Sequence, residues 1–215
     1  MEQQIDLKQI ERKVWTSFFE DGIWDIYLGL LLMAMAIAAL LWDIGTRSGV
    51  TLFVIYVCLV GAAFVFFWFG KRFITIPRIG RVNFGPKGRA RKRKTSIVFA
   101  LSVLVGLALF VIITINIKNT LSSVLSLDIF VPAVWVANML VVFSLAAYFL
   151  HFNRLYLIGV MFAIAFPLDI VLKELLHRDL TFLAFGVPAM VILIMGGVVL
   201  ARFLRKYSKS TEEAI

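Results

Sequence analysis

The chain has 215 residues, of which 61% are apolar and only 16% carry a charged side chain. An ordinary soluble domain has about 45–50% apolar and about 25% charged residues, so this composition excludes a soluble globular protein. It predicts an all-α membrane protein. The single cysteine, Cys58, excludes an intrachain disulfide. The formal net charge is +9, and the positions of the basic residues relative to the membrane spans carry the information on topology.

The first 22 residues are predicted to form a cytoplasmic amphipathic helix. Leu7, Ile10, Val14 and Phe18 follow one another at intervals of three or four residues, which places them on one face of an α-helix. Charged residues occupy the opposite face, as is typical of a helix that lies in the membrane interface. Packing on a soluble partner is the alternative.

Six apolar stretches follow, each long enough to cross a bilayer core, which needs about 20 helical residues. The sequence therefore predicts a six-transmembrane-helix antiparallel bundle over residues 23–203, followed by a cytoplasmic tail at 204–215. The expected spans are 23–41, 50–70, 96–116, 130–150, 155–172 and 181–203. The short link 151–154 requires a tight hairpin between the fourth and fifth spans.

Basic residues are divided unevenly between the two membrane sides that six spans define. The side with both termini carries 18 Lys and Arg, and the other side carries 4. Because Lys and Arg are enriched in cytoplasmic loops, both termini are predicted to be cytoplasmic. We expect a multi-pass protein of the plasma membrane, that is, the inner membrane of the cell.

The connection between the second and third spans, residues 71–95, is predicted to be a basic cytoplasmic loop. It carries ten basic residues and no acidic one. Its first half, 73–84, is rich in residues that favour strands and partly alternates apolar with polar ones, which predicts a short extended piece that Pro77 confines to an edge. The candidate contacts for an anionic lipid or an acidic partner are Arg78, Arg81, Lys87, Arg89, Arg91, Lys92, Arg93 and Lys94.

Three interpretations of this basic segment remain open. Positive charge can hold a loop inside during membrane insertion without any ligand. It can also attract anionic lipid headgroups, or dock an acidic protein partner. Nucleic acid is not expected, because no aromatic residues for base stacking interrupt the run 91–94.

Two aspartates mark the start of the first span. Asp21 and Asp25 are four residues apart, a spacing that offers two carboxylates on one helical face to a cation or a proton. Acidic residues at a helix N-terminus are also stabilised by the helix dipole and by capping. The second interpretation needs no ligand.

Two further polar residues lie deeper in the spans. Asp169 follows Pro167 in the fifth span and is the best candidate for an ion or solute path, whereas an ion pair with Lys173, four residues later, is its structural alternative. Asn138 lies near the middle of the fourth span, where it bonds another helix or lines a wet cavity.

Small residues four positions apart recur in several spans and allow helices to approach closely. The pairs are Ala34 with Ala38, Ser102 with Gly106, Ala133 with Ala137, and Gly197 with Ala201. They predict internal packing of the bundle or, alternatively, a face for a homo-oligomer.

The sequence contains none of the familiar catalytic, metal-binding or nucleotide-binding motifs, so neither a cofactor nor a metal is expected. The leading hypothesis is a non-enzymatic scaffold or accessory subunit that engages anionic lipid or an acidic partner through its basic loop. The alternative is a small channel or transporter that uses Asp169 and Asn138. A third hypothesis is a lipid-headgroup enzyme in which Asp21 and Asp25 meet loop arginines, including Arg81, around a phosphate.

Overall fold

A computed structural model describes residues 19–45, 48–79, 86–118 and 127–207 of the chain. Within these ranges the protein is helical throughout, and no strand occurs. Most of the predicted N-terminal amphipathic helix and most of the predicted tail lie outside the described residues. The predicted all-α class is confirmed for the described residues, which include five helices long and apolar enough to cross a membrane.

Seven α-helices and one π-helical turn make up the described chain. They are α1 (Ile23–Asp43), α2 (Gly49–Gly70), the π turn (Lys71–Thr75), α3 (Ile76–Ile79), α4 (Pro86–Lys118), α5 (Leu127–Leu150), α6 (Arg154–Leu176) and α7 (Thr181–Lys206). Five helical segments are long and apolar enough to cross a membrane, namely α1, α2 with its continuation to Arg78, α5, α6 and α7. The predicted span 96–116 lies within α4, part of whose side chains are outside the description.

The expected extended piece at 73–84 is wrong for residues 73–79, which are helical. Pro77 has no N–H to donate to the Phe73 carbonyl, and in a regular α-helix its ring would collide with that carbonyl. The preceding turn widens instead, so that the Ile76 N–H bonds the Lys71 carbonyl five residues back. The basic connection is accordingly helical at 71–79 and again from Pro86 onward.

The described chain groups into two compact units, which divide α7 at Pro188. The first belongs to Met1–Gly85 together with Ala189–Ile215, and the second is Pro86–Pro188. In the first unit, α1 packs on α2, and it lies close against the second half of α7 at Gly29 and Gly196. In the second unit, α5 packs on both α4 and α6.

Glycines bring α1 and α7 into direct backbone contact in the first unit. A Cβ added to Gly196 would lie 2.8 Å from Cγ1 of Ile26, and one added to Gly29 would lie 2.9 Å from the Leu193 side chain. By contrast, a Cβ on Gly197 would meet nothing within 4 Å. Within this chain the close approach therefore occurs at Gly196 and not at its neighbour Gly197, because adjacent positions on a helix point 100° apart.

The predicted tight hairpin joins α5 and α6 in the second unit. α5 ends at Leu150, and His151 adopts the left-handed conformation with φ 52°, which reverses the chain. The Phe152 N–H then bonds the Ala147 carbonyl at 3.1 Å. Across the hairpin, Phe143 packs against Phe162 in a tilted arrangement, with ring centroids 5.0 Å apart.

Candidate functional site

The Asp21 carboxylate is the centre of a buried polar cluster in the first unit. Its Oδ2 atom accepts a bond from Lys71 Nζ at 2.6 Å and another from Thr75 Oγ1 at 2.5 Å. Its Oδ1 atom accepts the Ile23 N–H at 3.2 Å, at the first turn of α1. Asp21 is fully buried, and Lys71 is only 7% exposed. We call Asp21, Lys71 and Thr75 the Asp21 cluster.

The local backbone brings the three side chains together. Lys71 and Thr75 are the first and last residues of the π turn, four positions apart, so both face Asp21. Gly22 takes a left-handed conformation with φ 73°, which turns the chain into α1 directly after Asp21. A Cβ on Gly70 would lie 3.2 Å from Cδ1 of Ile23, so the end of α2 lies close against the start of α1.

Aromatic rings flank the Lys71 ammonium. Its Nζ atom is 6.0 Å from the Phe67 ring centroid. Trp24 and Tyr27 pack on Phe67 with centroid distances of 4.6 and 5.0 Å. A buried ion pair in such apolar surroundings is maintained by its hydrogen bonds, and removal of one partner costs about 3–5 kcal/mol. The Asp21 cluster therefore holds the start of α1 against the π turn.

Asp25 is fully buried one helical turn further along α1, with its Cβ near the Gly196 backbone. Both predicted aspartates are therefore buried, although Asp21 precedes the helix rather than sharing its face. The sequence pattern placed Lys71 in the basic cytoplasmic loop and gave no sign of its pairing with Asp21.

Arg78, predicted to contact lipid or a partner, is bonded within the protein. Its Nε donates to the Tyr207 carbonyl, and its Nη1 donates to the Ile74 carbonyl, both at 3.1 Å. These bonds tie the end of α7 to the turns around Pro77. They do not join Arg78 to Asp21 or Asp25, as the lipid-headgroup enzyme required. Arg81 lies outside the described residues.

The remaining predicted basic contacts lie at the start of α4. Lys87, Arg89, Arg91 and Lys92 are in the helix, although their side chains are outside the description, and Arg93 and Lys94 are exposed. Lys94 Nζ lies 5.8 Å from the Phe149 ring centroid. The exposed apolar residues Ile97, Leu101 and Leu104 follow on the same helix. The basic segment and the apolar residues that follow it therefore belong to one continuous helix.

Asp169 forms an ion pair with Lys173, as the structural interpretation of this residue predicts. Lys173 Nζ is 2.9 Å from its Oδ2 and 3.8 Å from an oxygen of Asp179. The Asp169 residue is 6% exposed, whereas the Lys173 side chain is 41% exposed. The second oxygen of Asp169, Oδ1, is buried and has no hydrogen-bond donor among the described residues.

Asn138 links two helices of the second unit. Its Nδ2 donates to Ser102 Oγ of α4 at 3.0 Å. One turn earlier on α5, Trp135 Nε1 donates to the Phe162 carbonyl of α6 at 3.1 Å. Asn138 and Asp169 therefore bond separate partners, and the structure does not join them.

Among the residues that the structure describes, no three His, Cys, Asp or Glu side chains are grouped so as to hold a metal ion. Comparison with protein-family models, curated proteins and solved structures finds no match to this chain.

Proposed function

We propose that this chain is a six-span protein of the cell membrane that acts as a non-enzymatic scaffold or accessory subunit. In this proposal it gathers anionic lipid at its cytoplasmic face through the basic residues at the start of α4. The observation that carries the proposal is the continuity of that basic segment with an exposed apolar helix.

The direction of α7 supports a sixth span. Gly22, directly before α1, lies against the backbone at Gly196, whereas Gly29, further along α1, lies against Leu193. Positions later in α1 therefore meet positions earlier in α7, so the two helices run antiparallel. If only the five long apolar segments crossed the membrane, α7 would be the fifth crossing and would run parallel to α1. One more crossing, by the apolar part of α4, makes the two directions agree.

Contacts at one end of the first unit support the placement of the start of α1 and the end of α7 on the same side of the membrane. Lys206, at the end of α7, has its Nζ 4.0 Å from Glu20, just before α1. The bond from Arg78 to the Tyr207 carbonyl joins the end of α7 to the same region. The excess of Lys and Arg at this end favours the cytoplasm.

The pattern of the basic residues in α4 favours lipid over an acidic protein partner. The six basic positions between 87 and 94 are distributed around the whole helix axis at 3.6 residues per turn. We call these positions the α4 collar. A ring of charge at the end of a membrane helix matches a ring of surrounding headgroups, whereas a docked protein would contact one face. Each basic residue near an anionic surface contributes about 1 kcal/mol.

The proposal is tested by the lipid composition around the reconstituted protein. Nanodiscs assembled from mixed phosphatidylglycerol and phosphatidylcholine should contain a higher fraction of phosphatidylglycerol with wild type than with the Arg93→Gln/Lys94→Gln variant. The single variants Arg93→Gln and Arg178→Gln form a matched pair, because both residues are exposed and are predicted on opposite membrane sides. Equal enrichment in wild type and the double variant would contradict lipid binding, and loss of a co-purifying acidic protein would indicate a partner instead.

A second candidate function, transport, is favoured by one observation in the second unit. Asp169 Oδ1 is a buried acceptor with no donor among the described residues, and buried carboxylates within spans often mark ion paths. Ion flux into proteoliposomes that is lost in Asp169→Asn, with folding preserved, would support transport. Absence of flux for wild type with all common monovalent ions would count against it.

A further inference from the structure

The second half of α7 has one exposed face that changes from apolar to basic along its length. Met190, Ile194 and Val198 are spaced four residues apart and are 49%, 61% and 45% exposed. Arg202 continues the same spacing, Arg205 follows three residues later, and both are exposed. Residues at these intervals share one side of an α-helix. We call these five residues the α7 stripe.

The two arginines of the stripe are available for a ligand. Neither forms an ion pair with any residue in the described part of the chain. Lys206, beside them in sequence, differs because its Nζ lies 4.0 Å from Glu20. The positive charge on Arg202 and Arg205 therefore has no partner inside the described protein.

The end of α7 is held in place, so the arginines have a defined position. Phe203 is 3% exposed and packs on Tyr207 with ring centroids 5.0 Å apart. The Arg78 guanidinium bonds the Tyr207 carbonyl. The last turns of α7 are consequently anchored on one side, while Arg202 and Arg205 are exposed.

We propose that the α7 stripe is a binding site for one anionic phospholipid. An acyl chain lies along Met190, Ile194 and Val198, and the headgroup phosphate is bound by Arg202 and Arg205. Guanidinium groups suit this role because their planar N–H donors bind phosphate oxygens in pairs. A free phosphate would leave the apolar part of the stripe unused, so the geometry points to a lipid.

This site differs in kind from the α4 collar. The collar positions fall on all sides of the helix by their register, so we expect them to attract many headgroups rather than to hold one. The stripe has charge at one end of an apolar line, which matches the length and polarity of a single lipid molecule. The inference therefore goes beyond the proposed function and can fail independently of it.

Native mass spectrometry of the full chain in a neutral detergent tests the site, with phosphatidylglycerol and phosphatidylcholine added separately. We expect wild type to retain one phosphatidylglycerol more tightly than phosphatidylcholine. Arg202→Gln/Arg205→Gln should weaken that binding roughly fivefold for each arginine removed. Glycerol 3-phosphate, which lacks acyl chains, should not displace the bound lipid.

Three control variants separate this site from other causes. Lys206→Gln removes a neighbouring charge outside the stripe and should leave the lipid bound. Arg93→Gln/Lys94→Gln reports on the collar and should also leave it bound. Arg202→Lys/Arg205→Lys keeps both charges but loses the paired N–H donors, so it should weaken binding less than the glutamine variant does. An unchanged thermal midpoint of the glutamine variant shows that it is folded.

Unchanged phosphatidylglycerol binding in Arg202→Gln/Arg205→Gln would overturn the α7 site. If the collar variant alone reduced lipid enrichment, the proposed function would stand while this inference failed. Competition by glycerol 3-phosphate would also overturn it, because the site would then bind a phosphate group without using the apolar stripe.

Discussion

The two units of the molecule each bury an aspartate paired with a lysine, and the two pairs differ in how they are built. Asp21 bonds Lys71, 50 residues away, and Thr75 shares the same carboxylate oxygen. Asp169 bonds Lys173 on the next turn of its own helix. The first pair joins separate parts of the fold, whereas both residues of the second pair lie on one helix.

Burial makes the two pairs unequal in energy. Asp21 and Lys71 are both removed from solvent, so each charge depends on the other. The Lys173 side chain is 41% exposed and remains hydrated if its partner is lost. Because water screens an exposed charge, a partly exposed pair contributes much less than a buried one. We therefore expect mutations at the two sites to lower the free energy of unfolding by different amounts.

The largest effect is expected for Lys71→Met in the first unit. This change leaves the Asp21 carboxylate buried without its ammonium, and we expect it to lower the free energy of unfolding by about 3–5 kcal/mol. Reversible unfolding in mixed micelles measures the loss. The double variant Asp21→Asn/Lys71→Met removes both charges and should recover part of the stability. A loss no larger than that of Asp169→Asn, which leaves only the partly exposed Lys173 unpaired, would contradict the proposed difference between the two pairs.

The glycine contact beside Asp25 should give the next largest effect. In Gly196→Ala the added Cβ would lie 2.9 Å from the Ile26 backbone nitrogen. Such overpacking typically costs about 1–3 kcal/mol, and it would separate α1 from α7. Gly197→Ala is the matched control, since its Cβ would meet nothing within 4 Å. Equal unfolding free energies for the two variants would argue against the close approach of the helices.

A smaller effect is expected for Asp169→Asn in the second unit. This change removes the buried charge and leaves Lys173, whose side chain is 41% exposed, in contact with water, so we expect a loss of about 1 kcal/mol or less. A double-mutant cycle with Lys173→Met, followed by chemical unfolding, isolates the coupling between the two side chains. A coupling as large as that between Asp21 and Lys71 would show that burial of Asp169 outweighs exposure of its lysine.

An effect of similar size is expected for Trp135→Phe, which removes the N–H that bonds the Phe162 carbonyl. The net contribution of one such hydrogen bond is about 0.5–1.5 kcal/mol. Trp42→Phe, at a residue that is 54% exposed, is a control for the loss of indole. The thermal midpoint of each variant in detergent provides the measurement, and a larger shift for Trp42→Phe would contradict the role of Trp135.

The features that could be predicted from sequence depend on local information. Helix positions follow from the length of apolar runs, so α1 begins at Ile23 and α5 ends at Leu150 as expected. The Lys173 pair follows from four-residue spacing on one helix. Both inferences need only neighbouring residues.

The features that could not be predicted depend on distant or backbone information. Lys71 was indistinguishable from the other basic residues of its segment, because nothing in the local sequence identifies Asp21 as its partner. The π turn depends on how the chain accommodates Pro77, and the contact at Gly196 rather than Gly197 depends on helix rotation. The one available signal for Lys71 was its position directly after an apolar run that ends at Gly70.

The six-span topology requires that α4 crosses the membrane, and the proposed lipid binding requires that its basic start lies in the cytoplasm. In a Cys58→Ser background, Lys94→Cys and Arg178→Cys each introduce a single thiol for a membrane-impermeant maleimide. Three crossings by α4, α5 and α6 would separate these positions, so we predict labelling at 178 in intact cells and at 94 only in inside-out vesicles. Labelling of both positions from the same side would contradict the sixth span, and labelling at 94 in intact cells would contradict the orientation.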